Sequence, residues 1–242
     1  FMEVSSHAIV QNRIAGLKFA GALFSNITHD HLDYHKTFEE YLKAKKRFFD
    51  LLPSDAFALI NVDDRNGRVM VQNTAAKVSS YSLRSMANFK CKVIENHFDG
   101  MLLNLDSIEV WTRLVGGFNA YNILAIYSAA RLLGVERDIV LTELSSMTAV
   151  SGRFEHIKSP KGINVVVDYA HTPDALQNVI DTINEIKNPD NKLISVVGAG
   201  GNRDKTKRPV MAKVAVEGSG MVVLTADNPR FEEPEDILKD MK

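Results

Sequence analysis

The stretch Val196–Pro209, which reads VVGAGGNRDKTKRP, decides how the second half of this chain folds. It begins inside the apolar run Leu193–Val197, which is typical of a buried strand, and then breaks at three glycines that let the backbone turn and expose its N–H groups. A charged cluster follows, made of Arg203, Asp204, Lys205, Lys207 and Arg208. Pro209 then favours the start of a helix. This order predicts an anion site at the carboxyl end of a strand, and the alternative is a solvated loop that happens to be basic.

Strands and helices alternate on both sides of this stretch. The pattern predicts strands at 163–168, 193–197 and 221–226, which are followed by helices at 173–186, 209–217 and 234–241. Three such units favour one parallel sheet with right-handed crossovers. The strand ends, at 168–171, 198–203 and 227–230, all carry charged groups and would line one edge, where ligands of such sheets bind. We therefore expect residues 151–242 to form a Rossmann-like parallel-sheet domain.

Residues 1–150 indicate a mixed α/β domain that precedes the parallel-sheet domain. We expect strands at 20–27, 56–62 and 78–83, helices at 12–16, 38–52, 65–76, 119–133 and 136–147, and an antiparallel hairpin over 90–114 that turns near Asp99-Gly100. Thr37 is placed to cap the helix that follows it, with Glu39 and Glu40 near the positive end of that helix. The whole chain is therefore predicted to be an α/β protein with two domains.

The bulk composition excludes several classes of protein. The 242 residues suffice for two ordinary domains, and the net charge of -1 gives no indication of nucleic acid or an anionic membrane as a partner. The single cysteine, Cys91, excludes an internal disulfide and suits a reducing compartment. No apolar run approaches the length of a membrane span, and no signal-peptide pattern is present. Because Phe1 precedes Met2 and the last predicted helix stops at Lys242, we expect a fragment of a longer protein.

Three residues of the first half are candidates for a metal site. Glu3 and His31 each follow an apolar, strand-like run, and a carboxylate with an imidazole would hold a divalent metal if the two strands are neighbours. A surface histidine and a capping glutamate are the ordinary alternative. Lys45 lies among the helix charges of residues 43–47, and nothing in its spacing separates it from a solvated lysine.

Helix starts and the domain junction supply further candidates. Asn119 and Asn122 lie on the first turn of a helix that follows two glycines, which suits an anion or a polar ligand. A simple capping role is equally compatible with these two asparagines. Arg153 lies at the junction of the two domains, where an arginine can reach a phosphate.

Two arginines follow neighbouring strands of the predicted parallel sheet. Arg203 and Arg230 would share one rim, and planar guanidinium groups there indicate a ligand with one or more carboxylates. Each such charge-assisted hydrogen bond contributes roughly 1.5–3 kcal/mol. The alternative for Arg230 is an ion pair with Glu232 or Glu233 in the same loop.

The order of these motifs resembles that of the Mur ligases, and within them the MurE type. The resemblance runs from Glu3 to Arg230 and depends on the ordered set rather than on any one motif. The set comprises EVSSH (3–7), HDHLDYH (29–35), Ala44-Lys45, GFNAYN (117–122), SGRFE (151–155), DYAHTP (168–173) and the stretch 198–209. Asp227-Asn228-Pro229-Arg230 resembles the signature of enzymes that add meso-diaminopimelate rather than L-lysine.

The resemblance implies ATP-dependent peptide-bond synthesis in the cytoplasm, as a step of peptidoglycan precursor synthesis. ATP would phosphorylate the D-glutamate carboxylate of UDP-N-acetylmuramoyl-L-alanyl-D-glutamate, and the amine of meso-diaminopimelate would attack the acyl phosphate. The implied enzyme would use Mg²⁺, and we expect a monomer without nucleic acid or membrane partners. A ligase that adds L-lysine and a folylpolyglutamate-synthetase-like ligase are the alternatives within this class.

The resemblance also implies roles for individual residues. Those expected in catalysis and at Mg²⁺ are Glu3, His31 and Lys45, the last carbamylated on its side-chain nitrogen and so converted to a carboxylate ligand. Those expected at the UDP-linked substrate are Ser5, Gln11 and Arg13. Those expected at ATP are Asn119, Arg153 and Asp168. Those expected at diaminopimelate are Arg203, Asp227, Asn228, Pro229 and Arg230, with Arg230 holding the carboxylate that lysine lacks.

The sequence also departs from the family pattern. Mur ligases carry a Gly-x-Gly-Lys-Thr phosphate loop before the Glu3 motif and a UDP-binding amino-terminal domain, and we find neither here. From the resemblance we also expect that the end of the carboxyl-terminal domain is missing, and that the fragment alone is inactive. Ala199, Asn202 and Thr206 replace the commoner Cys, Asp and Gly. A dehydrogenase is disfavoured because residues 198–201 depart from GxGxxG, and a binding module without catalysis is the remaining alternative.

Overall fold

The chain folds as two units, and each has its own strands and its own hydrophobic core. The computed structural model describes residues 1–28 and 35–242. Unit 1 comprises Phe1–Glu95 and Gly100–Met147, and unit 2 comprises Asn96–Asp99 and Thr148–Lys242. Among the helices of the described residues, none has both the length and the apolar composition that crossing a membrane requires.

Unit 1 is built on a six-stranded sheet in which the strands lie in their order along the chain. The strands are β1 (Gly21–Phe24), β2 (Phe57–Asn61), β3 (Lys77–Ser82), β4 (Phe89–His97), β5 (Gly100–Leu105) and β6 (Ile108–Thr112). Strands β1 to β4 pair in parallel, whereas β5 and β6 pair antiparallel. The helices are α1 (Ser6–Val10), α2 (Phe38–Asp50), α3 (Gly67–Met70), α4 (Gly117–Leu132) and α5 (Arg137–Ser146).

Helix α2 begins where its sequence predicts. The hydroxyl of Thr37 accepts a hydrogen bond from the backbone N–H of Glu40 at 3.2 Å, and two glutamates occupy the first turn near the positive end of the helix dipole. The inner face of α2 carries Phe48 and Phe49, and Phe49 packs edge-to-face on Phe24 of β1 with ring centroids 6.5 Å apart. The expected capping and helical spacing of this segment are confirmed.

Three predictions for unit 1 are wrong in detail. Residues 12–16 form turns rather than a helix, because Asn12 and Gly16 adopt left-handed φ values of 54° and 81°. The helix expected over 65–76 is reduced to α3, whose N-terminal Asn66 makes no side-chain capping bond. The hairpin expected over 90–114 is three strands, because the chain reverses a second time at Asp106 and Ser107, which both have positive φ without being glycine.

Unit 2 contains two separate two-stranded sheets. Its elements are β7 (Glu155–Lys158), β8 (Asn164–Val167), α6 (Pro173–Ile186), β9 (Ile194–Gly200), α7 (Lys207–Gly218), β10 (Met221–Asp227) and α8 (Pro234–Met241). Strands β9 and β10 pair in parallel, as expected. The break predicted at Gly198 is wrong, because β9 continues to Gly200, with Gly198 still in register with Thr225 of β10. The prediction that the strand at 163–168 joins the same parallel sheet is also wrong, because that strand, β8, pairs antiparallel with β7 in a separate sheet.

Helices α6, α7 and α8 cover one face of the β9–β10 pair. Helix α6 has the predicted bounds, with Thr172 as its cap and Pro173 in its first turn. The buried core comprises Leu176, Ile180, Val197, Ala199, Met211, Ala212, Ala215, Ile237 and Met241. This packing places the carboxyl ends of β9 and β10 beside each other, with Gly200 in register with Asp227.

The chain that follows β9 passes very close to the chain that follows β10. The backbone N–H of Gly201 donates to the carbonyl oxygen of Asn228 at 3.2 Å. A Cβ atom built on Gly201 would overlap the carbonyl oxygen of Pro229, which leaves room for glycine alone. On neighbouring Gly200 a Cβ atom would make ordinary contacts with the carbonyl oxygen of Asp227, at 3.7 Å, and with Cγ of Arg203, at 3.8 Å.

We expect Gly201→Ala to lower the free energy of unfolding by about 2–3 kcal/mol, the upper part of the range for overpacking, because one of the two loops must move. Urea unfolding followed by circular dichroism measures this change. Gly200→Ala is the matched control and should cost less than about 1 kcal/mol, since its methyl group would make an ordinary contact. Equal losses in the two variants would contradict the role of the close approach.

Candidate functional site

A chain of polar and aromatic side chains connects α1 with α2 in unit 1. The hydroxyl of Ser6 lies 2.8 Å from Nε2 of His35, and this hydrogen bond is buried. The ring of His35 lies 5.3 Å from the ring of Tyr41, and Nζ of Lys45 lies 5.3 Å from the centroid of that same tyrosine. The start of α1 is thereby linked to the part of α2 that carries Lys45. Sequence reasoning overlooked Ser6, His35 and Tyr41 individually, although Ser6 and His35 lie inside the motifs 3–7 and 29–35.

Ser5 and Gln11 close the two ends of α1. The hydroxyl of Ser5 accepts a hydrogen bond from the backbone N–H of Ala8 at 3.2 Å, and the backbone N–H of Gln11 donates to the carbonyl oxygens of His7 and Ile9. The side chains of Gln11 and Arg13 are exposed. The expected contacts of Ser5, Gln11 and Arg13 with a substrate stay predictions.

The structure describes two of the three residues that are expected at the metal site. Glu3 is exposed just before α1, Lys45 is half-buried on α2, and His31 lies outside the described residues. Within residues 1–28 and 35–242, no three His, Cys, Asp or Glu side chains lie close enough together to hold a metal ion. The glutamate and a carbamylated lysine would supply oxygen ligands, which Mg²⁺ prefers, so the donor chemistry fits.

The N-terminal turn of α4 carries Asn119 in a fixed orientation. Gly116 precedes the helix with φ of 94°, so the chain enters α4 through a left-handed residue and without a side-chain cap. The amide nitrogen of Asn119 donates to the carbonyl oxygen of Val115 at 2.8 Å, and its amide oxygen accepts from Asn122 at 3.2 Å. Asn119 therefore braces the turn before the helix and is not its N-cap.

Asp63, which follows β2, also stabilises the N-terminal turn of α4, through a hydrogen bond from Tyr121. One carboxylate oxygen accepts hydrogen bonds from the hydroxyls of Ser82 and Ser85, both at 2.7 Å. The other accepts from the backbone N–H of Leu83 at 2.9 Å and from the hydroxyl of Tyr121 on α4, also at 2.9 Å. Burial alone would raise the pKa of Asp63, but these donors outweigh it and lower the pKa to about 2. Sequence reasoning missed Asp63 and Tyr121, and an aspartate directly after a buried strand is the signal for the first.

We expect Asp63→Asn to remove part of the acid sensitivity of the fold. An aspartate in the unfolded chain has a pKa of about 3.9, so the ionised Asp63 stabilises the fold fully above about pH 5. The folded pKa of about 2 means that this contribution disappears as the pH falls from about 4 through 2. After allowance for solvent screening, we expect about 1–2 kcal/mol at pH 7.

The measurement is the free energy of unfolding as a function of pH for wild type and variant. The two curves should approach each other as the pH falls through 2 and converge below it, because the wild-type carboxyl is half protonated at its pKa of about 2. Tyr121→Phe removes one of the donors and should give an intermediate curve. A difference that persists undiminished at the lowest pH would contradict the electrostatic origin of the effect.

In unit 2, the structure brings Arg153 and Asp168 into one cluster at the end of β8. The carboxylate of Asp168 accepts hydrogen bonds from the backbone N–H groups of Phe154 and Ala170, both at 2.7 Å. Phe154 adopts a left-handed φ of 49°, and the guanidinium of Arg153 lies 4.8 Å from the centroid of the exposed Tyr169 ring. Asp168 thus shapes the loop that presents Arg153, and Tyr169 is a member of the cluster that sequence reasoning did not identify.

The edge formed by β9 and β10 presents two guanidinium groups. Among the residues that the structure describes, neither Arg203 nor Arg230 makes an ion pair. The alternative in which Arg230 pairs with Glu232 or Glu233 is therefore not realised. Arg230 has a left-handed φ of 55°, and Asn228 has a φ of 38°. The turn is held in a conformation that exposes the arginine to solvent.

Two members of the predicted basic cluster form ion pairs within the protein, one buried and one at the surface, which corrects that prediction. The Arg208 side chain is 2% exposed and binds Glu232 at 3.0 Å and Asp240 at 2.6 Å, while Lys205 also binds Glu232 at 3.0 Å. The reason is the helical period of α7, which places residue 208 on the same inner face as the buried Met211, Ala212 and Ala215. That spacing is visible in the sequence and could have identified the buried arginine.

Comparison with models of known protein families identifies the family of this chain. Residues 1–130 match the family model of the Mur ligase middle domain, and residues 152–242 match that of the Mur ligase glutamate ligase domain. The first match alone covers more than half of the 242 residues. The chain therefore belongs to the Mur ligase family.

Individual relatives carry the name UDP-N-acetylmuramoyl-L-alanyl-D-glutamate–2,6-diaminopimelate ligase. The protein of that name from Cytophaga hutchinsonii is 62% identical over 242 residues, and that from Phocaeicola vulgatus is 60% identical over 241 residues. Each match takes in 100% of this chain and 50% of the relative, so the chain spans about half the length of these curated relatives. A solved structure of the same name is 36% identical and superposes with a TM-score of 0.69, covering 99% of this chain and 50% of the other.

Proposed function

We propose that this chain is part of an ATP-dependent ligase that adds meso-diaminopimelate to UDP-N-acetylmuramoyl-L-alanyl-D-glutamate during cytoplasmic peptidoglycan precursor synthesis. The observation that carries the proposal is the edge of β9 and β10, where the guanidinium groups of Arg203 and Arg230 are exposed and form no ion pair with any described residue. Family membership and the names of the relatives support the same substrates.

The proposed chemistry joins a carboxylate to an amine at the expense of ATP. An oxygen of the D-glutamate carboxylate attacks the γ-phosphorus of ATP, the bond to ADP breaks, and an acyl phosphate forms. The amine of diaminopimelate then attacks the acyl carbon, an amide bond forms, and inorganic phosphate leaves with its electron pair while the amine loses a proton. Selectivity for diaminopimelate arises at Arg230, whose guanidinium binds the carboxylate that L-lysine lacks.

The remaining residues have supporting roles in this proposal. Asn119 on α4 contacts ATP, and its hydrogen bond to Val115 stabilises the turn that carries it. Arg153 and Asp168 also contact ATP, and the hydrogen bond from Phe154 to Asp168 stabilises their loop. Ser5, Gln11 and Arg13 contact the UDP-linked substrate. Asp227, Asn228 and Pro229 shape the pocket for the amino acid together with Arg203. Unpaired cationic groups on a sheet edge are suited to orient an anionic substrate before the reaction.

Mg²⁺ would be held by Glu3, His31 and a carbamylated Lys45, and when bound it neutralises negative charge on the phosphates. A free lysine with a pKa of about 10.4 is neutral in only about one molecule in 2,500 at pH 7, so carbamylation needs a neighbouring cation to stabilise the product. The half-buried position of Lys45 beside the Tyr41 ring limits the water around the modified group.

The proposal is tested by phosphate release from the full-length protein in the presence of ATP, Mg²⁺ and the UDP-linked dipeptide. We expect release to depend on added meso-diaminopimelate and to be at least about tenfold weaker with L-lysine at the same concentration, because one charge-assisted bond is lost. Equal release with lysine would overturn the selectivity assigned to Arg230. No release with either amino acid would overturn the proposed acceptor.

We expect Lys45→Ala to abolish synthesis, and small carboxylates added to the assay to restore part of it by replacing the lost carbamate. The matched control is Lys43→Ala on the same helix, because Lys43 is 70% exposed and forms a surface ion pair with Glu39 at 2.6 Å. That control should retain nearly full activity. Near-normal turnover by Lys45→Ala would remove Lys45 from the site.

A further inference from the structure

The loop between β10 and α8, residues 228–233, carries Arg230 and is held by the loop that follows β9. The amide oxygen of Asn202 accepts a hydrogen bond from the backbone N–H of Phe231 at 3.0 Å. The backbone N–H of Asn202 donates to a carboxylate oxygen of Glu232 at 2.6 Å. With the bond from Gly201 to Asn228, these contacts attach both ends of the loop to the chain after β9.

A buried guanidinium beneath the loop binds Glu232 with both of its terminal nitrogens. Nη1 of Arg208 lies 3.0 Å from one carboxylate oxygen of Glu232, and Nη2 lies 3.1 Å from the other. Nη2 also donates to the carbonyl oxygen of Gly200 at 3.0 Å, at the last residue of β9. A bidentate pair between arginine and carboxylate fixes orientation as well as distance. Arg208 therefore connects the end of β9 directly to the loop of Arg230.

These contacts also determine which charge Glu232 neutralises. Glu232 lies two residues from Arg230, and a free carboxylate there would compete with a carboxylate of the ligand for the Arg230 guanidinium. Both oxygens of Glu232 are instead occupied by Arg208, Lys205 and the backbone of Asn202. The hydrogen bond from Arg208, followed by those from Asn202 and Lys205, lowers the pKa of Glu232 to about 2. The glutamate is therefore ionised and engaged throughout the neutral pH range.

We propose that Glu232 and Arg208 are positioning residues, which hold the loop 228–233 so that Arg230 remains exposed and unpaired for the second carboxylate of the amino-acid substrate. This inference rests on the proposed function for the identity of the substrate. The contacts that hold the loop 228–233 do not depend on which substrate binds.

Asp240 offers a matched control for this proposal. It binds the same Nη1 atom of Arg208, at 2.6 Å, but it lies on α8, outside the loop 228–233. Asp240→Asn and Glu232→Gln each replace one carboxylate partner of the same buried arginine by an amide. If the network serves stability alone, the two variants should have the same consequences.

The first measurement is tryptic cleavage of the Arg230–Phe231 bond in the native protein, identified by mass spectrometry. We expect Glu232→Gln to accelerate this cleavage at least severalfold, because the loop is released from Arg208. Asp240→Asn should cleave at nearly the wild-type rate, with the thermal midpoints of both variants measured beside it. An unchanged rate in Glu232→Gln, or equal acceleration in both variants, would overturn the proposal whatever the substrate is.

The second measurement is steady-state kinetics of the full-length variants. Glu232→Gln should raise the KM for diaminopimelate about tenfold, while kcat and the KM for ATP stay within about twofold. Arg230→Lys should raise the same KM, and Asp240→Asn should leave it unchanged. A uniform loss of kcat in Glu232→Gln would overturn the positioning role. Faster cleavage in a protein whose wild type does not use diaminopimelate would support the loop contact and refute the proposed function instead.

Discussion

The buried guanidinium of Arg208 is the interaction on which the edge of unit 2 depends. A cation that is 2% exposed needs partners, and it finds them on the last residue of β9, on the loop before α8 and on α8 itself. Each partner belongs to a different segment, so their separate conformations are coupled through one side chain. Both terminal nitrogens of this guanidinium are hydrogen-bonded, and one of their partners, Glu232, belongs to the loop that carries the exposed Arg230.

In unit 1, the carboxylate of Asp63 connects several segments of the chain, as Arg208 does in unit 2. Asp63 follows a buried strand and gathers donors from the chain after β3 and from the first turn of α4. The turn that carries Asn119 is thus braced by Asp63 through Tyr121 and by the bond from Asn119 to Val115. In both units, a charged group with several partners stabilises a turn, and the turn presents a different residue to solvent. Such networks add geometric specificity because every partner must be in place for the charge to be satisfied.

The bounds of α6 and α8 were predicted correctly, and Thr37 caps α2 as predicted, because capping and helical period are local properties. The helices predicted over 12–16 and 65–76 were wrong or too long. The pairing of strands was harder to predict, since the sequence of a strand does not indicate which strand lies beside it. The run that became β8 matches the pattern of a parallel strand, yet in the structure it hydrogen-bonds to β7. The turn at Asp106 and Ser107 was missed because it lacks glycine, the usual signal of a positive φ.

By itself, the sequence determined the α/β class, the parallel pair β9 and β10 and the family to which the chain belongs. It placed the end of β9 too early, since Gly198 and Gly200 lie inside the strand and only Gly201 follows it. It also indicated Arg203, Arg230 and Asp168 as residues that follow strands, because the apolar runs end just before them, and it placed Arg153 at the domain junction. Only the tertiary structure decided that Glu232 binds Arg208, so that Arg230 forms no ion pair with any residue that the structure describes, and that Asp63 reaches Tyr121. Composition shows which charges are present, but which charges meet depends on how α7, α8 and the loop between β10 and α8 pack together in three dimensions.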